Sequence, residues 1–294
     1  MKELDIKVGH QCNNACVFCL NKDKWHLKKF SFEKLKKQIE FFTKNGGKKL
    51  LISGGEPLIS EYFFDLLLFA KRKGIRFLIV ETNGRMLFYE EAVKKLKHFE
   101  SIRFLVSFHF PNAKLYKKYN RSDGFHQTMQ GIRNLVKYNC NFTINTVVMK
   151  PNLRYLKNMA KMLKKEGVRR IQYEFINGKT LMKNDYEKFV PQYSDCLTII
   201  KEIIKENRDI YITLNEIPVC VVGEKFKKYL APCINLKKST LNAVYKLMSA
   251  REMKATQFTF PNCKGCSYKS LCVGVAKEYV QTYGIKEFKP IIKK

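Results

Sequence analysis

The sequence predicts an α/β fold on a parallel sheet, and three observations carry that prediction. From residue 3 to about residue 177, short β-rich runs alternate with longer runs of helical spacing. The short runs are apolar enough to be strands buried on both faces. Nearly every polar motif falls where a β-rich run ends and a turn begins. A barrel, complete or partial, or a doubly wound sheet satisfies all three, and in each the chemistry gathers at the C-terminal ends of the strands.

"LDIKVG" is the first strand run and leads into a cysteine-rich loop. "SFEKLKKQIEFFTKNG" has helical spacing, with Ser31 as its N-cap and Gly46 as its stop. The strand "KKLLIS" precedes the helix "SEYFFDLLLFAKRKG", and "IRFLIVE" precedes "LFYEEAVKKLKHF". "IRFLVSFHF" then leads to "GFHQTMQGIRNLVKYN", "NFTINTVVM" to "NLRYLKNMAKMLKKEG", and "VRRIQYEFI" closes a series of about six β/α units. Farther on, "YEKFVPQYSDCLTIIKEIIKEN" is helical with Pro191 near its start, and "DIYITLN" is one more strand. Cys220, Cys233, the compact "CKGCSYKSLC" and a closing helix around "AKEYVQTYG" follow. The expected organisation is a core over 1–180, a connecting helix and added strand over 181–215, and a small cysteine-rich extension over 216–294.

The 294 residues are 45% hydrophobic and 28% charged, which allows a sizeable core and excludes a disordered chain. No apolar run approaches the ~20 residues of a membrane helix. The start, "MKELDIKVGH", lacks the apolar core of a signal peptide and passes straight into a strand. A cytoplasmic protein without a membrane partner is expected, and there clustered cysteines bind metal or do redox chemistry more often than they pair. The net charge of +30 has two readings. One is an acidic partner such as nucleic acid. The other is solvated lysine on helix faces, which the scatter of lysines and the 11 arginines among 56 basic residues favour.

Six of the ten cysteines fall in two tight clusters. "HQCNNACVFCLNK" holds Cys12, Cys16 and Cys19, an odd number in a loop too tight for two bridges. Three thiolates can hold three irons of a four-iron, four-sulfur cluster and leave the fourth iron open. An open position calls for a chelating ligand, as at a catalytic zinc. "GGEP", after the second strand, suits such a ligand. Gly54 and Gly55 allow close backbone approach, Glu56 can accept from an ammonium group, and Pro57 pins the turn.

C-x3-C-x-aromatic-C after strand one, with "GGEP" after strand two, resembles the radical S-adenosylmethionine (SAM) superfamily over about residues 5 to 178. The resemblance implies a partial (β/α)6 TIM-type barrel and a cluster ligated by Cys12, Cys16 and Cys19. It also implies SAM bound at the open iron and cleaved by one electron to a 5′-deoxyadenosyl radical that takes a hydrogen atom from substrate. By the same resemblance Phe18 would lie near the adenine, and Gly54, Gly55 and Glu56 would contact the methionyl ammonium. Ser107 would meet the ribose or methionine part, Arg121 the methionyl carboxylate, and Asn145 would offer a polar contact from strand five. Related peptide-modifying enzymes often read "SxDG" at strand four; this chain reads "SFHF", with His109 in place of the acid.

The second cluster, Cys263, Cys266 and Cys272 followed by Gly274, resembles the auxiliary-cluster segment of SPASM and Twitch extensions. The count of cysteines implies a single auxiliary iron–sulfur cluster in a reduced, Twitch-like version, with Cys220 as fourth ligand and Cys233 as the alternative. Four thiolates also suit a closed structural zinc site.

Cys140 and Cys196 read as small buried hydrophobes, and His10 as a solvated turn residue beside the first cluster. Glu81 and Glu174 sit at strand ends, where either is a proton acceptor, a substrate contact or a partner of lysine. The expected function is modification of a peptide or protein by a radical SAM enzyme fed by a ferredoxin- or flavodoxin-type donor. With no leader-binding module ahead of the first strand, a peptide substrate calls for a separate recognition protein. Two alternatives stay open: action on RNA or on a sugar or lipid precursor, and a non-catalytic iron–sulfur or zinc protein serving as electron carrier or scaffold.

Overall fold

The structure, a computed structural model, describes residues 3–19, 21–24, 26, 30–176, 183–231, 257–258, 260–269, 272 and 274–292. Seven parallel strands follow one another in chain order: β1 (Glu3–Lys7), β2 (Lys49–Ser53), β3 (Phe77–Thr82), β4 (Ile102–Ser107), β5 (Phe142–Val148), β6 (Arg170–Phe175) and β7 (Tyr211–Asn215). The helices between them are α1 (Phe32–Lys44), α2 (Phe63–Arg72), α3 (Glu90–Lys97), α4 (Ala113–Asn120), α5 (Phe125–Lys137), α6 (Leu156–Lys165), α7 (Lys183–Phe189) and α8 (Tyr193–Glu206). The fold is α/β with a parallel sheet, as the alternation of runs requires. The chain divides into two compact units, Met1–Asn145 with Met162–Arg169, and Thr146–Lys161 with Arg170–Lys294.

Within the first unit, the period of two sorts side chains between the two faces of the sheet. Ile6, Ile52, Val80 and Phe104 share one register row and are fully buried, as are Leu50, Leu78 and Ile102 one row earlier. The other face is mixed and half-buried: Asp5, Leu51, Ile79 and Arg103 in one row, Ser107 beside Asn145 in another. A face that carries Asp5, Glu81, Arg103 and Ser107 does not pack as a dry core. The first helix starts where Ser31 accepts the Lys34 amide at 3.3 Å, and the chain turns at Gly46 with φ +77°. α4 is absent from the sequence expectation. Asn112 caps it by accepting the Leu115 amide at 2.9 Å, and it buries Tyr116.

In the second unit, β6 and β7 pair with Ile171 against Ile212 and Tyr173 against Leu214 on the buried side. The single helix expected across Pro191 is two, α7 and α8, because proline has no amide to continue the ladder. The strand expected at "DIYITLN" is β7, which extends the parallel sheet. Beyond it lie α9 (Val219–Val222), a 3-10 helix Glu224–Tyr229, the antiparallel pair β8 (Gln257–Phe258) and β9 (Val275–Ala276), and α10 (Lys277–Tyr283). Among the described residues, no helix is long and apolar enough to cross a membrane.

Candidate functional site

The loop after β1 is stitched down on three sides. Toward β2, the Gly55 amide donates to the Gly9 carbonyl at 2.9 Å and the Glu56 amide to the Gln11 carbonyl at 2.8 Å. The Asn21 amide group donates to the Gly54 carbonyl at 2.8 Å. Toward α4, the Ala15 and Val17 amides donate to the carbonyls of Asn120 and Tyr119, both at 2.9 Å. Toward β3, Arg85 donates through Nη1 to the Asn13 carbonyl and to Asn14 Oδ1, while its Nε donates to Gln127 at 2.7 Å. Asn14 also donates to the Tyr116 hydroxyl at 3.1 Å and accepts from Ser122 at 2.7 Å.

The two glycines of "GGEP" are needed for this close approach. Gly54 has φ +135°, and a β-carbon on it would fall 2.4 Å from the Gly9 carbonyl oxygen. On Gly55 it would fall 1.9 Å from the Gln11 carbonyl oxygen. Only glycine lets two backbones meet so closely.

Glu56 is buried and accepts three donors: the Thr82 hydroxyl at 2.7 Å, the Asn83 amide at 2.6 Å and the Leu58 amide at 3.1 Å. Burial nevertheless pushes its carboxyl up to about 7, with the three donors pulling the other way. Asn83 extends the link, donating its side chain to Asn13 Oδ1 at 2.6 Å and to the Cys12 sulfur at 3.7 Å.

Cys12, Cys16 and Cys19 are half-buried together in the loop, and no disulfide joins any described cysteine. Cys12 Sγ accepts the Asn14 amide at 3.4 Å and Cys19 Sγ the Asn21 amide at 3.3 Å. Burial raises the Cys12 thiol to about 11, with Glu56 and Cys19 adding to the rise. Cys16 is pushed higher still by burial and by Cys12 and Cys19. The three thiols oppose one another's ionisation and two of the sulfurs receive amide hydrogen bonds, a donor set whose chemistry fits a positively charged iron centre, although among the described residues no three such side chains already stand in a metal-holding arrangement.

Phe18 is buried, its ring edge-on to His109 at 5.1 Å. Burial holds His109 down to about 4, so its imidazole is neutral. Ser107 is half-buried and in register with the buried Asn145. Arg121 is exposed, ending α4 in the left-handed region at φ 51°. His10 is buried against Phe30, with no partner for Nδ1 among the described residues, and is not the solvated residue expected. Glu81 and Glu174 are half-buried on β3 and β6, Glu174 in register with Asn215. Cys140 is half-buried and precedes β5, and Cys196 is fully buried in α8.

In the second unit, Cys220 sits on α9, and Cys263, Cys266 and Cys272 lie between Pro261 and Gly274. Burial, with Cys272, Cys266 and Cys263 adding to it, raises Cys220 to about 11, but among the described residues these cysteines do not form a group arranged to hold a metal ion. Cys272 Sγ accepts the Gly274 amide at 3.3 Å. Cys233 lies outside the described residues.

The 'Radical SAM superfamily' family model matches residues 6–171. An uncharacterized protein of Methanocaldococcus jannaschii is 26% identical over 95% of this chain and 99% of its own length. The GTP 3′,8-cyclase of Aquifex aeolicus is 29% identical over 69% of this chain and 65% of its own length. The AdoMet-dependent heme synthase of Oleidesulfovibrio alaskensis is 28% identical over 55% of this chain and 42% of its own length. In fold, the chain is similar to Streptococcus suis SuiB bound to S-adenosylmethionine, with a TM-score of 0.72 at 14% identity, covering 98% of this chain and 76% of SuiB. It is similar also to anSMEcpe with bound AdoMet and Kp18Cys peptide, with a TM-score of 0.68 at 17% identity, covering 98% and 96%. The match of the family model across more than half of the sequence makes this chain a member of the radical SAM superfamily.

Proposed function

We propose that this radical SAM enzyme takes a hydrogen atom from a peptide or protein substrate. The observation that carries the reading is the clamping of the three-cysteine loop by the backbone of "GGEP". In this reading Cys12, Cys16 and Cys19 hold the four-iron, four-sulfur cluster that the superfamily implies. When bound, the cluster and SAM would supply one-electron reductive cleavage, with the electron coming from a ferredoxin- or flavodoxin-type donor and the products being methionine and, once a substrate hydrogen is taken, 5′-deoxyadenosine.

The chain's own residues bind and orient. Gly54 and Gly55 bring backbone to the loop, and the Glu56 carboxylate is held ready for an ammonium by the Thr82 and Asn83 donors. Phe18 and the neutral His109 offer an apolar wall to the adenine. Ser107 and Asn145 share one row of the half-buried face and serve the ribose or methionine part. Arg121, exposed and flanked by Ser122, reaches for the methionyl carboxylate. In the same reading the extension is SPASM- or Twitch-like and carries one auxiliary iron–sulfur cluster on Cys220, Cys263, Cys266 and Cys272, a ligand set that rests on the spacing of these cysteines in the sequence.

Similarity in fold to SuiB bound to precursor peptide SuiA and to anSMEcpe with Kp18Cys peptide supports a peptide substrate. A second reading, a small nucleotide-like substrate, is favoured by the sequence similarity to GTP 3′,8-cyclase. Deuterium transfer separates them. Peptides and nucleotides extracted from cells grown in heavy water are each incubated anaerobically with the enzyme, SAM and a reductant. Deuterated 5′-deoxyadenosine from the peptide fraction alone supports the first reading, and from the nucleotide fraction alone the second.

A further inference from the structure

A cavity of about 530 Å³ lies in the second unit, lined by the end of α8, the start of β7 and the 3-10 helix Glu224–Tyr229, with no cysteine among its lining residues. Its floor is apolar and buried: Ile204, Ile210 and Ile212. Its rim carries Lys205, Arg208, Lys225 and Lys228, and no carboxylate is among the lining residues. None of these four cations forms an ion pair among the described residues. Glu202 and Glu206 pair with Lys157 and Glu224 accepts from the Tyr268 hydroxyl; Asp209, next to Arg208 in the chain, is exposed and is not among the lining residues. Two half-buried aromatic rings, Phe226 and Tyr229, complete the wall at 5.9 Å from each other.

The wall is braced. The Ala231 amide donates to the Leu214 carbonyl at 2.8 Å, and Tyr268 ties Glu224 and Lys227 at 2.8 and 3.0 Å. Four like charges around one apolar hollow repel one another unless an anion joins them. The volume lies in the range of small-molecule sites. A ligand with phosphates for the rim and a flat ring for Phe226 and Tyr229 satisfies both halves of this lining.

We propose that this cavity binds a nucleoside phosphate, presented as part of a single-stranded nucleic acid, with successive phosphates on Lys205, Arg208, Lys225 and Lys228 and an unstacked base against Phe226 and Tyr229. The four rim cations favour a strand over a free nucleotide, since a polyanion gains from every cation along its path. The site stands whether or not the substrate is a peptide.

The test is fluorescence anisotropy on the full-length, cluster-loaded protein. The probes are a labelled mixed-sequence RNA twelve-mer and, separately, a labelled adenosine diphosphate. K205A/R208A is expected to weaken RNA binding roughly tenfold, as two exposed ion pairs do, and to lower the salt slope by about 1.4. K95A/K97A removes the same charge from an exposed face of α3 and is expected to change affinity less than about twofold if the cavity is the site. Tyr229→Leu tests the ring and is expected to weaken binding severalfold at unchanged salt slope. Adenosine diphosphate binding as tightly as the twelve-mer keeps the site and reassigns the source to free nucleotide. Equal losses in the cavity and control variants, or no binding to either probe, overturn the proposal.

Discussion

The Glu56 amide donates to the Gln11 carbonyl at 2.8 Å, while the Glu56 side chain accepts from Thr82 and Asn83. One residue thus ties the ends of β2 and β3 to the loop that carries the three N-terminal cysteines.

Replacing Gly55 by alanine forces a β-carbon into the Gln11 backbone, where no flexible side chain can give way. The Gly55→Ala protein is expected to lose about 2 kcal/mol or more of stability and most of its N-terminal iron. Denaturant unfolding and iron content after anaerobic reconstitution check this. Full iron at wild-type stability contradicts it.

Glu56→Gln keeps the shape but turns one acceptor oxygen into a donor facing the Asn83 amide or the Thr82 hydroxyl. The expected cost is about 2 kcal/mol, together with a higher KM for SAM. Unchanged KM with reduced stability would leave Glu56 as a brace alone.

Arg85→Lys removes the fork that joins Asn13, Asn14 and Gln127, at a cost of about 1–3 kcal/mol. Arg121→Ala, at an exposed position, is expected to stay within about 0.5 kcal/mol in stability and to act on SAM affinity alone. Unfolding curves and SAM titrations of both variants distinguish scaffold from ligand contact.

His109 makes stability depend on pH. Its folded value of about 4 lies below the ordinary 6.5, so between these limits the unfolded chain binds more protons and stability rises with pH. The contribution is full above about pH 6.5, and roughly 2 kcal/mol of it is lost on going from pH 7 to pH 5. Denaturant unfolding of wild type and His109→Phe at both values should show the mutant less sensitive by that amount. An equal drop in both proteins refutes the assignment.

Sequence patterning revealed the strands and most helices because apolar periodicity and caps such as Ser31 act locally. It revealed the cysteine loop and "GGEP" because residue type and spacing alone suffice there. It missed α4, although Asn112 with Tyr116 and Tyr119 carried a cap and a helical spacing, because the segment is short and lysine-rich. It also missed Arg85. Nothing in "TNGR" says that this guanidinium turns back beneath Asn13 and Asn14; that contact closes a loop of about seventy residues and exists only in the folded chain. His10 was misjudged for the same reason, since the packing of Phe30 buries it.

The most direct measurement is anaerobic incubation with SAM and a strong reductant, followed by quantification of 5′-deoxyadenosine and iron, for wild type and for C12S/C16S/C19S. The wild type should release 5′-deoxyadenosine, and the triple variant should release none while keeping the iron of the C-terminal cysteines, which C220S should remove. Undiminished 5′-deoxyadenosine from the triple variant would contradict the assignment of the N-terminal loop as the site of SAM cleavage.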